Sequence, residues 1–477
     1  MKRSLLLLLL LVANPAFAQQ SLQQQVEARF AEAATGTRFG LVVLDADGKE
    51  IVAVNPDGRF IPASNTKMFT TAAAYASLAA LDQPDASGGA AVRIEGGDVI
   101  LEGHGDARLS SAGDCKVDCL ATLADAVAAK TKQVRHVIGD DTLFPDQRWS
   151  PGMSWNNIPS RYGTGTSALT LDDNELLIEV TPGKLGAPAR VALPLGYFTI
   201  DNRAVTVAGA ERKLGYDRDV NSRVLRLTGT IGVDAKLEQL HVGIDDPAHY
   251  AAWRFRDLLA ARGVQVTGAV SARHRALAPT DDPEMRKNAP AARPPVQLAL
   301  ARLIPPPLDE DVVRINKESQ NLHAELLMRR VGLRRGSGSI ADGVAEVAAM
   351  LEAAGVPRTA WDLSDGSGMS SYNRVAPRGA VKMLRWIAAQ PWGAAWRASL
   401  PIGGVDGTLS KRFKGTLLEG KLFAKTGTLN ATNALSGYLI AKSGKTLTFS
   451  TFANDVPADA SAARFLDAAL VAVAEAN

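Results

Sequence analysis

Ser64-Asn65-Thr66-Lys67, Ser319-Gln320-Asn321 and Lys425-Thr426-Gly427 occur in that order along this chain, and the three segments decide how the rest is read. Ser64 and Lys67 are three apart. If Ser64 opens a helix, Lys67 lies one turn later on the same face and can take the hydroxyl proton. That role needs a neutral amine, so burial or nearby positive charge must depress its pKa. A helix N-terminus also offers unpaired N–H groups to a developing oxyanion. Ser-x-Asn occurs three times, at Ser154, Ser319 and Ser371. The middle copy stands just before Ala324-Glu325-Leu326-Leu327-Met328, a strong helical run, where Ser319 and Asn321 can both face a cleft. Each copy is also ordinary turn or cap chemistry. Lys425-Thr426-Gly427 follows an apolar run from Leu422 and reads as a strand end able to bind a carboxylate, with Gly427 allowing close approach of a substrate backbone. Ser-x-x-Lys and Ser-x-Asn alone are weak signals, and Lys425-Thr426-Gly427, which occurs once, could be an ordinary strand end with a surface lysine; their joint order points to acyl transfer on a peptide ending in a free carboxylate.

Working outward, Gln20 to Ala34 has helical periodicity, with Leu22, Val26, Phe30 and Ala33 on one face. Phe39–Leu44 and Ile51–Val54 are strand-like runs separated by the turn dipeptide Asp47-Gly48. An Ala-rich helical stretch spans Lys67 to Leu81. Near the other end, Leu435–Ala441 and Thr446–Phe452 form a hairpin around Ser443-Gly444, and residues 459–475 make an apolar-striped helix. A sheet built from both chain ends and flanked by helices would bring Ser64 and Lys425 together. Between about 86 and 290 the texture changes to short Val/Leu/Ile runs separated by Gly, Asp and Pro, which reads as inserted, mostly β material. Residues 276–307 contain eight prolines, as a boundary segment would.

The chain has 477 residues, 46% hydrophobic and 22% charged, enough for a large core and two to four domains. A net charge of +3 leaves no electrostatic footprint for nucleic acid. Met1-Lys2-Arg3, an apolar run from Leu5 to Val12 and Ala16-Phe17-Ala18 read as a cleaved secretory signal over residues 1–18, and no later run is long enough to span a bilayer. In an exported protein Cys115 and Cys119 are expected to form a small local disulfide, which a loop suits better than a regular helix, with a free dithiol as the alternative.

The Ser-x-x-Lys and Lys-Thr-Gly elements resemble those of penicillin-binding proteins and serine β-lactamases. Ser64 and Ser319 are 255 residues apart, far more than a β-lactamase would allow. The chain therefore resembles the low-molecular-mass class C penicillin-binding proteins, the D-alanyl-D-alanine carboxypeptidase/endopeptidases. Gly103-His104-Gly105-Asp106 and Asp365-Gly366-Ser367-Gly368-Met369-Ser370 also match. The resemblance implies a multi-domain α/β fold: a β-lactamase-like core of antiparallel sheet flanked by helices, with a large, mostly β insertion forming two extra domains. The expected catalytic domain is 19–85 and 288–477, the first inserted domain 86–165 and 241–287, and a nested domain 166–240.

The resemblance also implies roles. Ser64 is the acylated nucleophile and Lys67 its base. Ser319 and Lys425 pass the proton to the leaving amine. Asn321 binds the substrate amide, Lys425 and Thr426 hold the terminal carboxylate, and the N–H groups of Ser64 and Thr428 form the oxyanion hole beside Gly427. No metal or organic cofactor is expected. The implied partners are peptidoglycan peptides and, as covalent inhibitors, β-lactams; the implied location is the periplasm. Family members bind the diaminopimelate amine through an aspartate in the insertion, for which Asp146 is the candidate; a plain solvated loop aspartate is the alternative. Where the family often has arginine after its Ser-Gly-Leu-Ser, this chain has Ser371, with Arg374 the nearest arginine. Competing readings are a non-catalytic wall binder, which has no need of Ser64 and Lys67 together, and a β-lactamase, which must deacylate fast. A Ser-His-Asp hydrolase lacks its Gly-x-Ser-x-Gly elbow here.

Overall fold

The computed structural model describes residues 20–292 and 297–477. The expected signal segment lies outside the described residues. Among the described residues, no helix is long and apolar enough to cross a membrane.

The two chain ends do build one sheet. Its five antiparallel strands run in the order Leu422–Leu429, Thr432–Ile440, Thr446–Asn454, Arg38–Leu44, Glu50–Val54. The join between the ends is the pairing of Arg38–Leu44 with Thr446–Asn454, in which Leu41 faces Thr451. Asp45 closes the first hairpin by accepting from Gly48 at 3.1 Å, with Gly48 at φ 90°. Helices Leu22–Ala31 and Ala463–Ala476 cover one face; Val26, Phe30, Leu466 and Leu470 bury against Leu41, Val43, Leu435 and Phe449. The other face packs Phe452, Ala434 and Tyr438 against helices Thr66–Ser77, Asn321–Gly332 and Pro377–Ala388. Helix Asn321–Gly332 is buried along its whole length, so its polar residues must find partners inside the protein.

The intervening region carries a mixed sheet in the order Val270–Arg275, Val137–Pro145, Asp98–Glu102, Ala91–Glu95, Ala301–Arg302. Its last strand lies beyond the expected boundary at 287 and pairs with Ala91–Glu95. Two smaller sheets follow, one from Glu175–Thr181, Arg190–Ala192 and Glu238–Gly243, the other from Thr199–Asn202, Val205–Val207, Arg212–Asp217 and Val224–Gly232. Their apolar faces and those of helices Leu120–Lys130 and Pro247–Ala260 join one contiguous core from Ala90 to Leu303. Cys115 and Cys119 form a disulfide in the loop leading into helix Leu120–Lys130.

Candidate active site

Ser64 sits in a 3-10 turn, Ala63–Asn65, that runs directly into helix Thr66–Ser77. The turn is pressed onto the edge strand Leu422–Leu429. Asn65 Nδ2 donates to the Lys425 carbonyl at 2.9 Å. A Cβ on Gly427 would lie 2.5 Å from the Pro62 carbonyl, so the neighbour that Gly427 admits is the turn holding Ser64. On the opposite side, a Cβ on Gly368 would run into the Ala63 carbonyl. Two glycines thus let two segments close on the backbone around Ser64.

One helical turn after Ser64, the Lys67 side chain is fully buried. Its Nζ donates to Ser64 Oγ at 3.0 Å, Asn321 Oδ1 at 2.7 Å and the Ser367 carbonyl at 2.6 Å. Burial draws its pKa down from 10.5 to about 7, against the pull of the Asp365 and Glu325 carboxylates, which favour the charged form. Lys425 is equally buried. Its Nζ donates to Ser319 Oγ at 2.9 Å and to the Thr426 carbonyl at 3.0 Å. Burial, and then the charge of Lys67, hold it well below the usual lysine range. Ser319 adopts the left-handed φ of 63° one step before the helix entry. Asn321 is the first residue of helix Asn321–Gly332, and its Nδ2 donates to the Tyr162 carbonyl at 3.0 Å.

The structure therefore brings Ser64, Lys67, Ser319, Asn321 and Lys425 into one hydrogen-bonded cluster. Thr426, Gly427 and Thr428 continue the edge strand beside it, with Thr428 exposed. Asp146 lies apart. It follows strand Val137–Pro145, its Oδ1 accepts from Arg148 Nε at 2.9 Å, and it lines a separate cavity of about 810 Å³ with Arg218, Asp246 and His274. The other two Ser-x-Asn copies serve the fold. Ser154 precedes the surface turn Trp155–Asn157 and accepts from Asn157 N–H through its backbone carbonyl at 3.1 Å, and Asn373 is a buried amide that donates to Asp365 at 2.6 Å and accepts from Ser364 N–H at 2.7 Å. Ser371 donates to the Gly152 carbonyl at 2.9 Å, and the Arg374 guanidinium is bonded to the Ser371 and Asn373 carbonyls.

Several participants escaped the motif reading. Thr408 shares a 2.7 Å hydrogen bond with Thr426, 18 residues away. Tyr162 contributes a backbone carbonyl, for which no side-chain pattern exists. Glu325 was legible in principle: it is four residues after Asn321, hence on the same helix face.

Known proteins bear on this geometry. The model of the D-Ala-D-Ala carboxypeptidase 3 (S13) family matches residues 22–477. A D-alanyl-D-alanine carboxypeptidase of Actinomadura sp. (strain R39) is 34% identical, the match covering 94% of this chain and 85% of that one. The D-alanyl-D-alanine carboxypeptidase DacB of Haemophilus influenzae is 26% identical over 88% of this chain and 86% of its own. The crystal structure of penicillin binding protein 4 (dacB) from Haemophilus influenzae superposes with a TM-score of 0.78 at 22% identity, covering 94% of this chain and 97% of that one. The fold is thus the penicillin-binding protein 4 fold, and the chain belongs to the D-Ala-D-Ala carboxypeptidase 3 (S13) family.

Proposed function

We propose that this chain is a periplasmic serine hydrolase of peptidoglycan peptides, acting both as D-Ala-D-Ala carboxypeptidase and as D-alanyl-diaminopimelyl endopeptidase, and that β-lactams acylate it at Ser64. The observation that carries this reading is the buried Lys67 amine, 3.0 Å from Ser64 Oγ and with its pKa drawn down to about 7. A lysine in that state is a competent base near neutral pH. Ser64 Oγ loses its proton to Lys67 as it attacks the D-alanyl carbonyl carbon, and the N–H groups of Ser64 and Thr428 receive the negative charge on oxygen. The C–N bond then breaks, and the leaving amine gains a proton through Ser319 and Lys425, which are already hydrogen-bonded. Water attacks the ester, releasing the peptide carboxylate and restoring Ser64.

The edge position of strand Leu422–Leu429 supports the substrate class. Segment 401–403 pairs with the outer side of this strand at 422–424, and an extended peptide can add beyond it, along 426–428, as peptides add to sheet edges elsewhere. The terminal carboxylate would then lie by Lys425 and Thr426. Both cuts fit one site, because each scissile bond has a D-alanyl carbonyl and a carboxylate beside it. A solved relative, penicillin binding protein 4 from Haemophilus influenzae, is described in complex with a β-lactam, which supports β-lactam binding here.

The test is intact mass after mixing with benzylpenicillin, for wild type and Ser64→Ala. A lasting penicilloyl adduct on wild type alone is the expected result, with muropeptide digestion lost in the variant. Rapid penicillin consumption without an adduct would make the chain a β-lactamase; muropeptide cleavage retained by Ser64→Ala would overturn the serine mechanism.

A further inference from the structure

Beneath the reacting groups lies a buried charge assembly that the mechanism above leaves unused. Glu325 is on helix Asn321–Gly332, one turn past Asn321. Its Oε1 accepts from the N–H groups of Gly366 at 3.0 Å and Ser367 at 2.9 Å. Its Oε2 accepts from Arg329 Nη1 at 3.0 Å, and that guanidinium is buried. The Gly366 carbonyl in turn accepts from Thr70 Oγ1 at 2.8 Å, on the Ser64 helix. Asp365, fully buried, accepts from Gly368 N–H at 2.9 Å, Ser370 N–H at 2.6 Å and Asn373 Nδ2 at 2.6 Å. The loop 365–370 is therefore wound around two carboxylates. Its one carbonyl aimed at the reacting groups, that of Ser367, meets Lys67 Nζ at 2.6 Å.

From this connectivity we infer that Glu325 is a positioning residue for acyl transfer: it fixes the Ser367 carbonyl against Lys67 through two backbone N–H groups, and its charge, trimmed by Arg329, sets how readily Lys67 gives up its proton. The inference rests on Lys67 acting as the base. The two contributions separate chemically. Glutamine at 325 keeps an oxygen for the two N–H groups but removes the negative charge, whereas aspartate keeps the charge but falls short of the loop.

The charged groups facing Lys67 are few. Asp365 and Glu325 favour its protonated form, while the charge of Lys67 in turn lowers the pKa of Lys425. Arg329 stands behind Glu325. Removing the Glu325 charge takes away one of the two carboxylates that favour the Lys67 ammonium, so its pKa falls; Asp365, now held up at about 6 by burial and by Glu325, then ionises more readily and offsets part of that fall. Removing the Arg329 charge leaves Glu325 unopposed, so the pKa must rise. A merely structural role for either residue predicts no such opposition of sign.

The test reads Lys67 directly, by ¹³Cε NMR titration of ¹³C-lysine-labelled protein, assigned with Lys67→Arg. In wild type the midpoint is expected near 7. In Glu325→Gln it moves about one pH unit lower, and in Arg329→Met about one unit higher. Penicillin acylation rates measured in parallel should move their acid limb with the NMR midpoint, and Glu325→Asp should lower the plateau rate about tenfold with the limb in place. Midpoints that stay fixed, or that move the same way in both charge variants, overturn the proposal. If one charge variant does not fold, the sign of the other decides alone. A midpoint that shifts while acylation ignores it would instead defeat the assignment of Lys67 as base and leave the charge coupling standing.

Discussion

The Lys67 side chain is buried away from the protein surface, which disfavours a charge, yet two carboxylates lie close enough to favour one. Burial is the larger effect, and the balance leaves the pKa at about 7 rather than 10.5. The rate of acylation should follow the neutral amine. It should fall about tenfold per pH unit below that value and level off above it, a profile that stopped-flow measurement of penicillin acylation would record. An acid limb near 4, where ordinary carboxylates titrate, would instead assign the base to another residue. Linkage gives a second reading of the same shift. Between about 7 and 10.5 the unfolded chain binds the proton and the folded chain does not, so this group's contribution to stability rises with pH across that window. Lys425, held low by burial and by Lys67, contributes with the same sign.

At the level of elements, catalytic geometry depends on how closely the Ser64 turn approaches the edge strand Leu422–Leu429. Gly427→Ala places a methyl group 2.5 Å from the Pro62 carbonyl, and backbone on both sides must give. Displacing the nucleophile by part of an ångström costs about ten- to hundredfold in rate. The expected result is that loss in penicillin acylation with the far-ultraviolet circular dichroism unchanged; full activity would show that the turn moves freely. The elements themselves were largely readable. Apolar runs and turn dipeptides marked Phe39–Leu44, Ile51–Val54 and the hairpin 435–452, because the central strands are buried on both faces and joined by short connections. The left-handed backbones of Ala63, φ 48°, and Ser319, φ 63°, were not. Both are imposed by distant segments closing on them, and neither residue type announces the conformation. Strand Ala301–Arg302 escaped for a related reason: two residues carry no period, and only pairing with Ala91–Glu95 defines them.

Across the whole molecule, the inserted region reaches the motif helix at several points, from Asn321 at its start to Arg330 near its end. The Tyr162 carbonyl holds the amide of Asn321, and Asp173 accepts from His323 Nε2 at 2.9 Å while Asp311 accepts from Nδ1 at 3.0 Å. These two carboxylates outweigh burial and raise the His323 pKa, so the imidazolium ties the inserted region to the helix that carries Asn321. Composition marked the inserted region, but these contacts depend on the register in which it docks, which no local pattern encodes. The same docking leads from the reacting groups toward Asp146. Arg148 and Trp149 line both the small cavity touching Asn321 and Met369 and the cavity of about 810 Å³ that holds Asp146. A substrate side chain passing Trp149 with an ammonium group would meet Asp146 already paired to Arg148, and would have to share it. Asp146→Asn removes the carboxylate and leaves the guanidinium, which repels an ammonium. A partly exposed ion pair is worth at most about 1 kcal/mol, so KM for diaminopimelate peptides should rise about two- to fivefold. The contrast that gives this meaning is a peptide with its side-chain amine acetylated, for which the same substitution should leave KM in place. Equal effects on both peptides would show that Asp146 acts by holding Arg148 and not by receiving the substrate amine.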